Sequence, residues 1–248
     1  MSQFIKLSCP SCGGTLETTI SDDIFSCPYC HVEYLFQPDV TADTEDENLK
    51  TDPGDHRLRE IVRQPLEKYS NFSDSTTWAE GSSKNYRAFL QDGFYHIIVL
   101  SRRWYRRQSC QGVSLHNFEV SVETEYVKGE SEASSSGIAF RRTEAGLYIF
   151  YIAQNGHYAV WLRNDIDETW KSIIGWRYST HIKQSRQKNL LSVKGWNDSF
   201  EFSVNNKLLT RISDDTFPDG EVGLCVETEG EDTIAEVRFS NFKLFVLE

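Results

Sequence analysis

Two pairs of cysteines near the start of the chain have the residue type and the spacing of metal ligands. Each pair has the form Cys-x-x-Cys, and the four residues are Cys9, Cys12, Cys27 and Cys30. A tight turn of this form presents two sulfur atoms to one ion, and Zn²⁺ takes four such ligands at about 2.3 Å in a tetrahedron. Because four protein ligands leave no open position, the sequence predicts one structural zinc ion without a catalytic role.

The residues around these pairs predict a small module that depends on its metal. Gly13 follows the first pair, where the turn often needs a positive φ, and His31 takes the corresponding place after the second pair. We interpret His31 as a bystander, not a ligand; two redox dithiols are the alternative to the zinc site. Too few apolar residues separate the pairs to form a core, so metal binding must supply much of the folding free energy. These apolar residues are Leu16, Ile20, Ile24 and Phe25.

The motifs CPSCGG and CPYC resemble those of the zinc-ribbon family, over residues 4–36. The resemblance implies a ribbon fold and a bound zinc ion, and we assign residues 1–36 to this first domain. It implies less about function, because zinc ribbons serve in nucleic-acid binding, in protein docking and in purely structural roles. His31 departs from the glycine that is usual at its position.

Residues 37–56 predict an acidic linker. They include seven Asp or Glu residues and one Lys, with few apolar anchors, which is typical of a flexible tether. The whole chain carries a formal net charge of −11, so general binding to a phosphate backbone is disfavoured. Residues 57–71 have a weak helical pattern that Pro65 interrupts, and we predict a short helical lead-in there.

Residues 72–248 consist of short runs in which apolar and polar residues alternate, and this pattern predicts an all-β fold. Asn155-Gly156 predicts a type I′ hairpin, and Asn205-Asn206 a similar one. Strands without helices between them favour an antiparallel β-sandwich or jelly roll. The residues expected to fill its core are Phe140, Phe150, Ile152, Val193, Phe202, Val204, Val222, Leu224, Phe239 and Phe242.

Several of these runs, including SSGIAFRRTEAGLYIFYIAQNGHYAVWLR and FPDGEVGLCVET, resemble the concanavalin A-like jelly rolls, especially the LamG-like and 3-keto-disaccharide hydrolase-like group. The resemblance covers residues 72–248. It implies a jelly-roll fold, and it says little about activity because such motifs mostly serve packing and turns.

Two sets of residues in this domain could bind or process a sugar. Glu119, Glu123 and Glu125 share one face of a strand, as the carboxylates of a glycosidase would, but the E-x-D-x-x-E arrangement of those enzymes is missing and a solvent-facing strand is the simpler interpretation. Exposed aromatic rings can stack on sugars, with polar neighbours binding the hydroxyl groups; the alternative is that these rings belong to the core. The candidate ligand-binding residues are Arg141, Trp161, Arg163, Trp170, Trp176, Tyr178 and His181.

A basic and aromatic segment is the remaining candidate surface. Its residues could bind an anion, a nucleic acid or an acidic partner, or they could form an ordinary solvated loop. They are Arg102, Arg103, Trp104, Arg106 and Arg107. The chain contains no P-loop, no nucleophile elbow, no H-E-x-x-H and no G-x-G-x-x-G motif.

The sequence also bears on the compartment. It has no signal-peptide pattern, and no run approaches the roughly 20 apolar residues of a membrane span. Zinc-type thiolates without an export signal indicate a reducing, cytoplasmic environment, in which Cys110 and Cys225 should be buried free thiols.

Taken together, these features predict a non-catalytic binding or assembly protein. Its jelly roll would bind a glycan or protein partner, and its ribbon would be a second docking surface. A sugar-processing hydrolase and a zinc-ribbon protein associated with nucleic acid are the alternatives.

Overall fold

The computed structural model describes residues 4–19, 24–37, 57–72, 77–101, 105–109, 112–129, 134–228 and 234–248. The chain forms two compact units, Met1–Val62 together with Glu248, and Arg63–Leu247. The predicted acidic linker, apart from residue 37, lies outside the described residues. None of the described residues forms a helix that is long and apolar enough to cross a membrane.

The small unit consists of two antiparallel sheets. The first sheet pairs two strands and the second pairs three, in the order β3-β4-β5. The strands are β1 Phe4–Ser8, β2 Thr15–Thr19, β3 Ile24–Ser26, β4 Glu33–Gln37 and β5 Arg57–Glu60. Because β5 pairs with β4, this sheet includes residues well beyond the predicted end of the ribbon at residue 36.

The helical lead-in predicted for residues 57–71 is wrong over its first half. Residues 57–60 form β5, and Arg63–Pro65 form the short strand β6. Two short 3-10 turns follow at Glu67–Phe72, with a kink between them at Ser70 and Asn71, whose backbone angles are not helical. Pro65 has no amide hydrogen and fits an edge strand better than a helix interior. Pairing with neighbouring strands satisfies the hydrogen-bonding groups of the backbone here, so these residues are extended despite their weak helical periodicity.

The large unit is a sandwich of two antiparallel sheets. One has six strands in the order β10-β19-β12-β13-β14-β15, and the other has the order β18-β17-β16-β11-β20-β9-β8-β7, with β6 pairing to β20. The bounds are β7 Gly81–Ser82, β8 Tyr86–Gln91, β9 Phe94–Val99, β10 Tyr105–Ser109, β11 Phe118–Lys128, β12 Ser134–Arg142, β13 Gly146–Ala153, β14 His157–Asn164, β15 Thr169–Tyr178, β16 Asn189–Trp196, β17 Ser199–Val204, β18 Lys207–Ser213, β19 Glu221–Thr228 and β20 Ala235–Leu247.

The core between the sheets confirms the predicted alternation. All ten residues expected to fill it are buried in one continuous apolar cluster. Along β13, Tyr148, Phe150 and Ile152 belong to this cluster, whereas Ile149 and Tyr151 belong to a separate cluster on the outer face of the six-stranded sheet. A period of two therefore gives this sheet two apolar faces.

The two predicted hairpins are present, with different turns. Asn205 and Asn206 have φ values of 50° and 62° and connect β17 to β18, as a two-residue type I′ turn requires. Between β13 and β14 the loop has three residues, of which only Gly156 has a positive φ, at 89°. This loop is the three-residue type that ends in a left-handed residue, so the type I′ prediction for Asn155-Gly156 is wrong.

Arg141 lies in the interior of the sandwich, although the sequence predicts it as a ligand-binding residue. The pairing of β12 with β19 shifts register between Ala139 and Arg142, and Arg141 has a φ of 48°, so the strand alternation fails there. Its guanidinium donates hydrogen bonds to the carbonyl oxygens of Phe217 (3.0 Å), His116 (2.8 Å) and Asn197. Only 1% of Arg141 is exposed, so it ties three loops together and offers no surface to a ligand.

We expect Arg141→Met to destabilise the sandwich by about 2 kcal/mol or more, because the substitution removes the donor to the buried carbonyl oxygen of Phe217 and to the partly buried ones of His116 and Asn197. Arg142→Met is the matched control: the side chain of Arg142 is 40% exposed and its ion pair with Glu221 is long, at 3.9 Å, so we expect a change within about 0.5 kcal/mol. Urea unfolding followed by tryptophan fluorescence measures the sandwich alone, since all six tryptophans belong to it. Equal stability of the two variants would contradict the assignment.

Candidate metal and ligand sites

The two Cys-x-x-Cys segments form matching turns. In the first, the amide of Gly13 donates to the carbonyl of Cys9 (2.8 Å); in the second, the amide of His31 donates to the carbonyl of Cys27 (2.9 Å). Gly13 and His31 both have left-handed backbones, with φ values of 73° and 60°. His31 therefore takes the backbone role that its place in the sequence predicts, and its side chain is exposed.

The four predicted ligands come together in space. The Sγ atoms of Cys9 and Cys30 are 3.6 Å apart, as are those of Cys12 and Cys27, and all four sulfurs lie within 4.8 Å of one another. A tetrahedral ion with sulfur ligands at about 2.3 Å needs sulfur–sulfur distances of about 3.8 Å. All four are free thiols, so the cluster could bind a metal ion and fits a zinc ribbon.

Tyr34 is part of this site, and the sequence gives no local signal of it. Its hydroxyl lies 3.2 Å from Sγ of Cys9, donates to Oγ of Ser11 (2.6 Å) and accepts from the amide of Ser11 (3.2 Å). Tyr34 is 1% exposed and packs with Cys9, Cys27 and Leu16 in the core of the small unit. It thus holds one ligand sulfur from a strand 25 residues away in the chain.

The thiols of this cluster cannot all ionise by themselves. Burial raises the pKa of Cys9, but the contact with the Tyr34 hydroxyl and hydrogen bonds from the backbone lower it to about 6. The backbone amide of Val32 lowers the pKa of Cys30, but burial and the three neighbouring thiols raise it to about 12. Four thiolates at these distances repel one another, and a bound divalent cation would offset this repulsion.

A second site lies on the outer face of the six-stranded sheet. Trp161, Trp170 and Trp176, which the sequence predicts for ligand binding, line one cavity of about 250 Å³ together with Tyr151 and Glu227. The ring centroids of Tyr151 and Trp176 are 6.4 Å apart, with an angle of 33° between the ring planes. The structure thus brings three of the predicted ligand-binding residues together on one face of the sheet, and their role in binding a ligand stays a prediction.

Small residues on the neighbouring strands make room for this cavity. Tyr151 is paired with Gly137 of β12 on one side and with Ala159 of β14 on the other. A Cβ atom on Gly137 would lie 1.9 Å from the carbonyl oxygen of Phe150, so only glycine fits there. The ring of Tyr151 therefore forms the floor between two small residues, while the tryptophans of β14 and β15 form the walls.

The remaining candidate residues surround the cavity or lie away from it. Arg163 lies 5.3 Å from the ring centroid of Trp170, and it is tied to Asp165 (3.0 Å) and to the carbonyl of Glu168 (2.5 Å). Tyr178 is 54% exposed and does not line the cavity; its hydroxyl accepts a hydrogen bond from Gln184 (3.0 Å). His181 is exposed in the turn that follows β15.

The basic segment stays a prediction. Arg102, Arg103 and Trp104 lie outside the described residues, and Arg106 and Arg107 lie on β10, where the structure describes the backbone alone. Of the two remaining cysteines, Cys110 is also outside the described residues, whereas Cys225 is a buried free thiol as predicted.

The glutamates of β11 each contact a separate cation. Glu119 pairs with Arg63 (2.8 Å), Glu123 with Lys188 (2.9 Å) and Glu125 with Arg238 (2.9 Å). Glu123 also accepts hydrogen bonds from Ser240 (3.0 Å) and Asn241 (2.7 Å). Burial raises the pKa of Glu123, but Lys188, Ser240 and Asn241 outweigh this effect and lower it. These contacts agree with the simpler interpretation, in which β11 lies inside its sheet with its glutamates on the solvent-facing side.

No model of a known protein family matches this chain. No curated protein matches it either. A protein of unknown function with a galectin-like fold from Bacillus subtilis is 10% identical over 75% of this chain and 99% of its own, with a TM-score of 0.54. A prokaryotic β-1,3-1,4-glucanase (lichenase) derived from a mouse hindgut metagenome is 11% identical over 75% of this chain and 98% of its own, with a TM-score of 0.51.

A carbohydrate-binding module from Bacillus subtilis is 17% identical over 69% of this chain and 91% of its own, with a TM-score of 0.45. At these identities the likeness shows the fold alone. The large unit is a jelly-roll β-sandwich of the galectin-like kind, a fold that a glucanase also has. The predicted all-β sandwich is therefore confirmed.

We expect Tyr34→Phe to weaken the binding of a divalent metal ion by about 10- to 100-fold, because the ring stays in the core while the hydroxyl contact with Cys9 is lost. Competition with a chromophoric chelator measures the affinity. Tyr29→Phe is the matched control, since Tyr29 is 67% exposed. If both variants bind the ion as the parent chain does, the hydroxyl of Tyr34 has no role at the site.

Proposed function

We propose that this protein binds carbohydrate, without cleaving it, in the cavity on the outer face of its six-stranded sheet. The observation that carries the proposal is the convergence of three tryptophans and a tyrosine around about 250 Å³ of space. Aromatic faces pack against the C–H faces of sugar rings, and a few polar groups at the edge of such a cavity orient the hydroxyl groups.

The exposure of the tryptophans supports a binding role. Tyr151 is 2% exposed and belongs to the packed outer face of the sheet, whereas Trp176 is 39% exposed. Trp161 and Trp170 are half-buried between these extremes and pack against the same cluster. The cavity has a fixed floor and accessible walls and is therefore preformed. Binding would then require little further ordering of the protein side chains.

The carboxylates of the described residues support binding over catalysis. Most glycosidases need two carboxyl groups about 5–10 Å apart on either side of the scissile bond. Among the described residues that line the cavity, Glu227 alone carries a carboxylate. The glutamates of β11 lie on the other sheet, each with its own cation.

The same proposal includes a structural zinc ion in the small unit. The sulfur–sulfur distances and the four-thiolate ligand set both suit Zn²⁺, which prefers four-coordinate sites of this composition. The use of the ribbon as a docking surface stays a prediction.

We expect Trp176→Ala to weaken glycan binding by tenfold or more, which corresponds to about 1.4 kcal/mol, because it removes an accessible wall of the cavity. Tyr178→Ala is the matched control: it removes an exposed ring from the same strand, outside the cavity. Tryptophan fluorescence titrations with barley mixed-linkage β-glucan, with laminari- and cello-oligosaccharides and with chitin and chitosan oligosaccharides measure the affinities.

Two outcomes of this experiment count against the proposal. If no glycan of the panel binds the parent chain, or if Tyr178→Ala loses as much affinity as Trp176→Ala, the cavity is not a carbohydrate site. Chromatography of the glycans after a long incubation should return them intact, and shortened products would instead indicate a hydrolase.

For the metal, we expect elemental analysis to find one zinc ion per chain, and Cys27→Ser to abolish it. A buried ligand cannot be lost without leaving the other three thiolates uncompensated, so the small unit should unfold in this variant while the tryptophan fluorescence of the sandwich stays unchanged. Cys225→Ser is the control for loss of a buried thiol. Retention of zinc by Cys27→Ser would exclude the four-cysteine site.

A further inference from the structure

The lining of the aromatic cavity is electrostatically negative. Four of its five described lining residues carry aromatic rings, whose faces are negative, and the fifth is a glutamate. These residues include no lysine, arginine or histidine. Such a lining attracts a positive charge, in the manner of the aromatic cages that bind ammonium groups.

Trp170 already interacts with one cation of the chain itself. The guanidinium of Arg163 lies 5.3 Å from the centroid of its ring. The charge of Arg163 is balanced by the carboxylate of Asp165 (3.0 Å), and its Nη1 donates to the carbonyl of Glu168 (2.5 Å). These contacts fix Arg163 at the edge of the site, and they show that this wall is compatible with a cationic neighbour.

Glu227 lies beside the hydroxyl of Tyr151 on the outer face of the sheet. Glu227 lies two residues from Cys225 on β19, so the two share the outer face of the sheet with Tyr151. The hydroxyl of Tyr151 lies 3.3 Å from Sγ of Cys225, and burial, followed by the nearby Cys225 and Glu227, raises the pKa of Tyr151 so that its phenol stays neutral. In the sheet, Glu227 is paired with Ser135 of β12, which is buried, and a charge beside buried groups is screened less than it would be in water.

The size of the cavity limits what can enter it. Its volume of about 250 Å³ lies below the range of roughly 300–1,000 Å³ that holds drug-sized ligands. A single sugar ring with one small substituent is therefore a better match than a long stretch of polysaccharide lying across the sheet.

We propose that the sugar bound in this cavity is an amino sugar with a free ammonium group, which Glu227 and the tryptophan rings recognise. This inference rests on the proposed carbohydrate function of the same cavity. An ammonium group beside Glu227 gains both a charge-assisted hydrogen bond and the attraction of the ring faces, whereas an acetylated amine gains neither.

Three β-1,4-linked trisaccharides that differ in the substituent at C2 test the proposal: the trimers of glucosamine, of N-acetylglucosamine and of glucose. We expect the glucosamine trimer to bind the parent chain at least tenfold more tightly than the other two, as measured by tryptophan fluorescence and calorimetric titration. Glu227→Gln should reduce this preference to about threefold or less and leave the affinity for the glucose trimer unchanged. Glu221→Gln is the matched control on β19, outside the cavity, and should keep the preference.

The other outcomes separate this inference from the function on which it rests. Equal affinity for all three trimers, or a preference that survives Glu227→Gln, overturns the amino sugar and leaves carbohydrate binding intact. Because the chain is acidic, Trp176→Ala serves as a further check: unchanged binding of the glucosamine trimer in this variant means a charge effect outside the cavity and also overturns the inference. Binding of tetramethylammonium but of no sugar overturns both proposals.

Discussion

The structure of the sandwich depends on the strict alternation of side chains along β13. Every residue of this strand is buried, because it lies inside the six-stranded sheet and has apolar neighbours above and below. The residues that face inward stack in the aromatic core, where the ring of Tyr148 lies 5.2 Å from that of Phe140. The residues that face outward form the base on which the tryptophans of β14 and β15 rest. One strand thus fixes both the interior packing and the shape of the outer cavity.

The two units of the chain obtain their stability in different ways. The sandwich has a large apolar cluster, in which rings from both sheets pack in tilted pairs with centroids 5.1 Å apart. Among its described residues, the small unit has a small apolar cluster around its cysteines, so much of its free energy of folding has to come from metal binding by those cysteines. Tyr34 links these two contributions, because its ring is part of that small core and its hydroxyl contacts a ligand sulfur.

Features that depend on a short stretch of sequence were predicted better than features that depend on which strands pair and in which register. The cysteine turns follow from four residues each, and the core of the sandwich follows from a period of two, so both could be derived from the sequence. Tyr34 and Glu227 could not, because each reaches its site through the register of a strand that is distant in sequence. Arg141 was predicted on the surface because strand alternation places its side chain on the outer face. A register shift, together with the left-handed backbone of Arg141 itself, directs the side chain into the interior instead.

The helical lead-in was mispredicted for a related reason. Leu58 and Ile61 have a helical spacing, but β4 offers an edge to which β5 adds, and β20 offers one to β6. Backbone pairing of this kind cannot be predicted from the sequence of a short segment, because almost any extended stretch can form the same hydrogen bonds. Some of the expected helical character remains at Glu67–Phe72, where Tyr69 and Phe72 are buried, but a kink at Ser70 and Asn71 divides it into two short 3-10 turns.

The position of β20 has a consequence for how the protein is made. This strand is the last of the sandwich in chain order, yet it lies inside its sheet, where it pairs with β11 and with β9 and β6. During translation the ribosome therefore releases every other strand before the sheet can close. Until then β11 and β9 expose unpaired edges, which are the surfaces that chaperones protect and through which nascent chains aggregate.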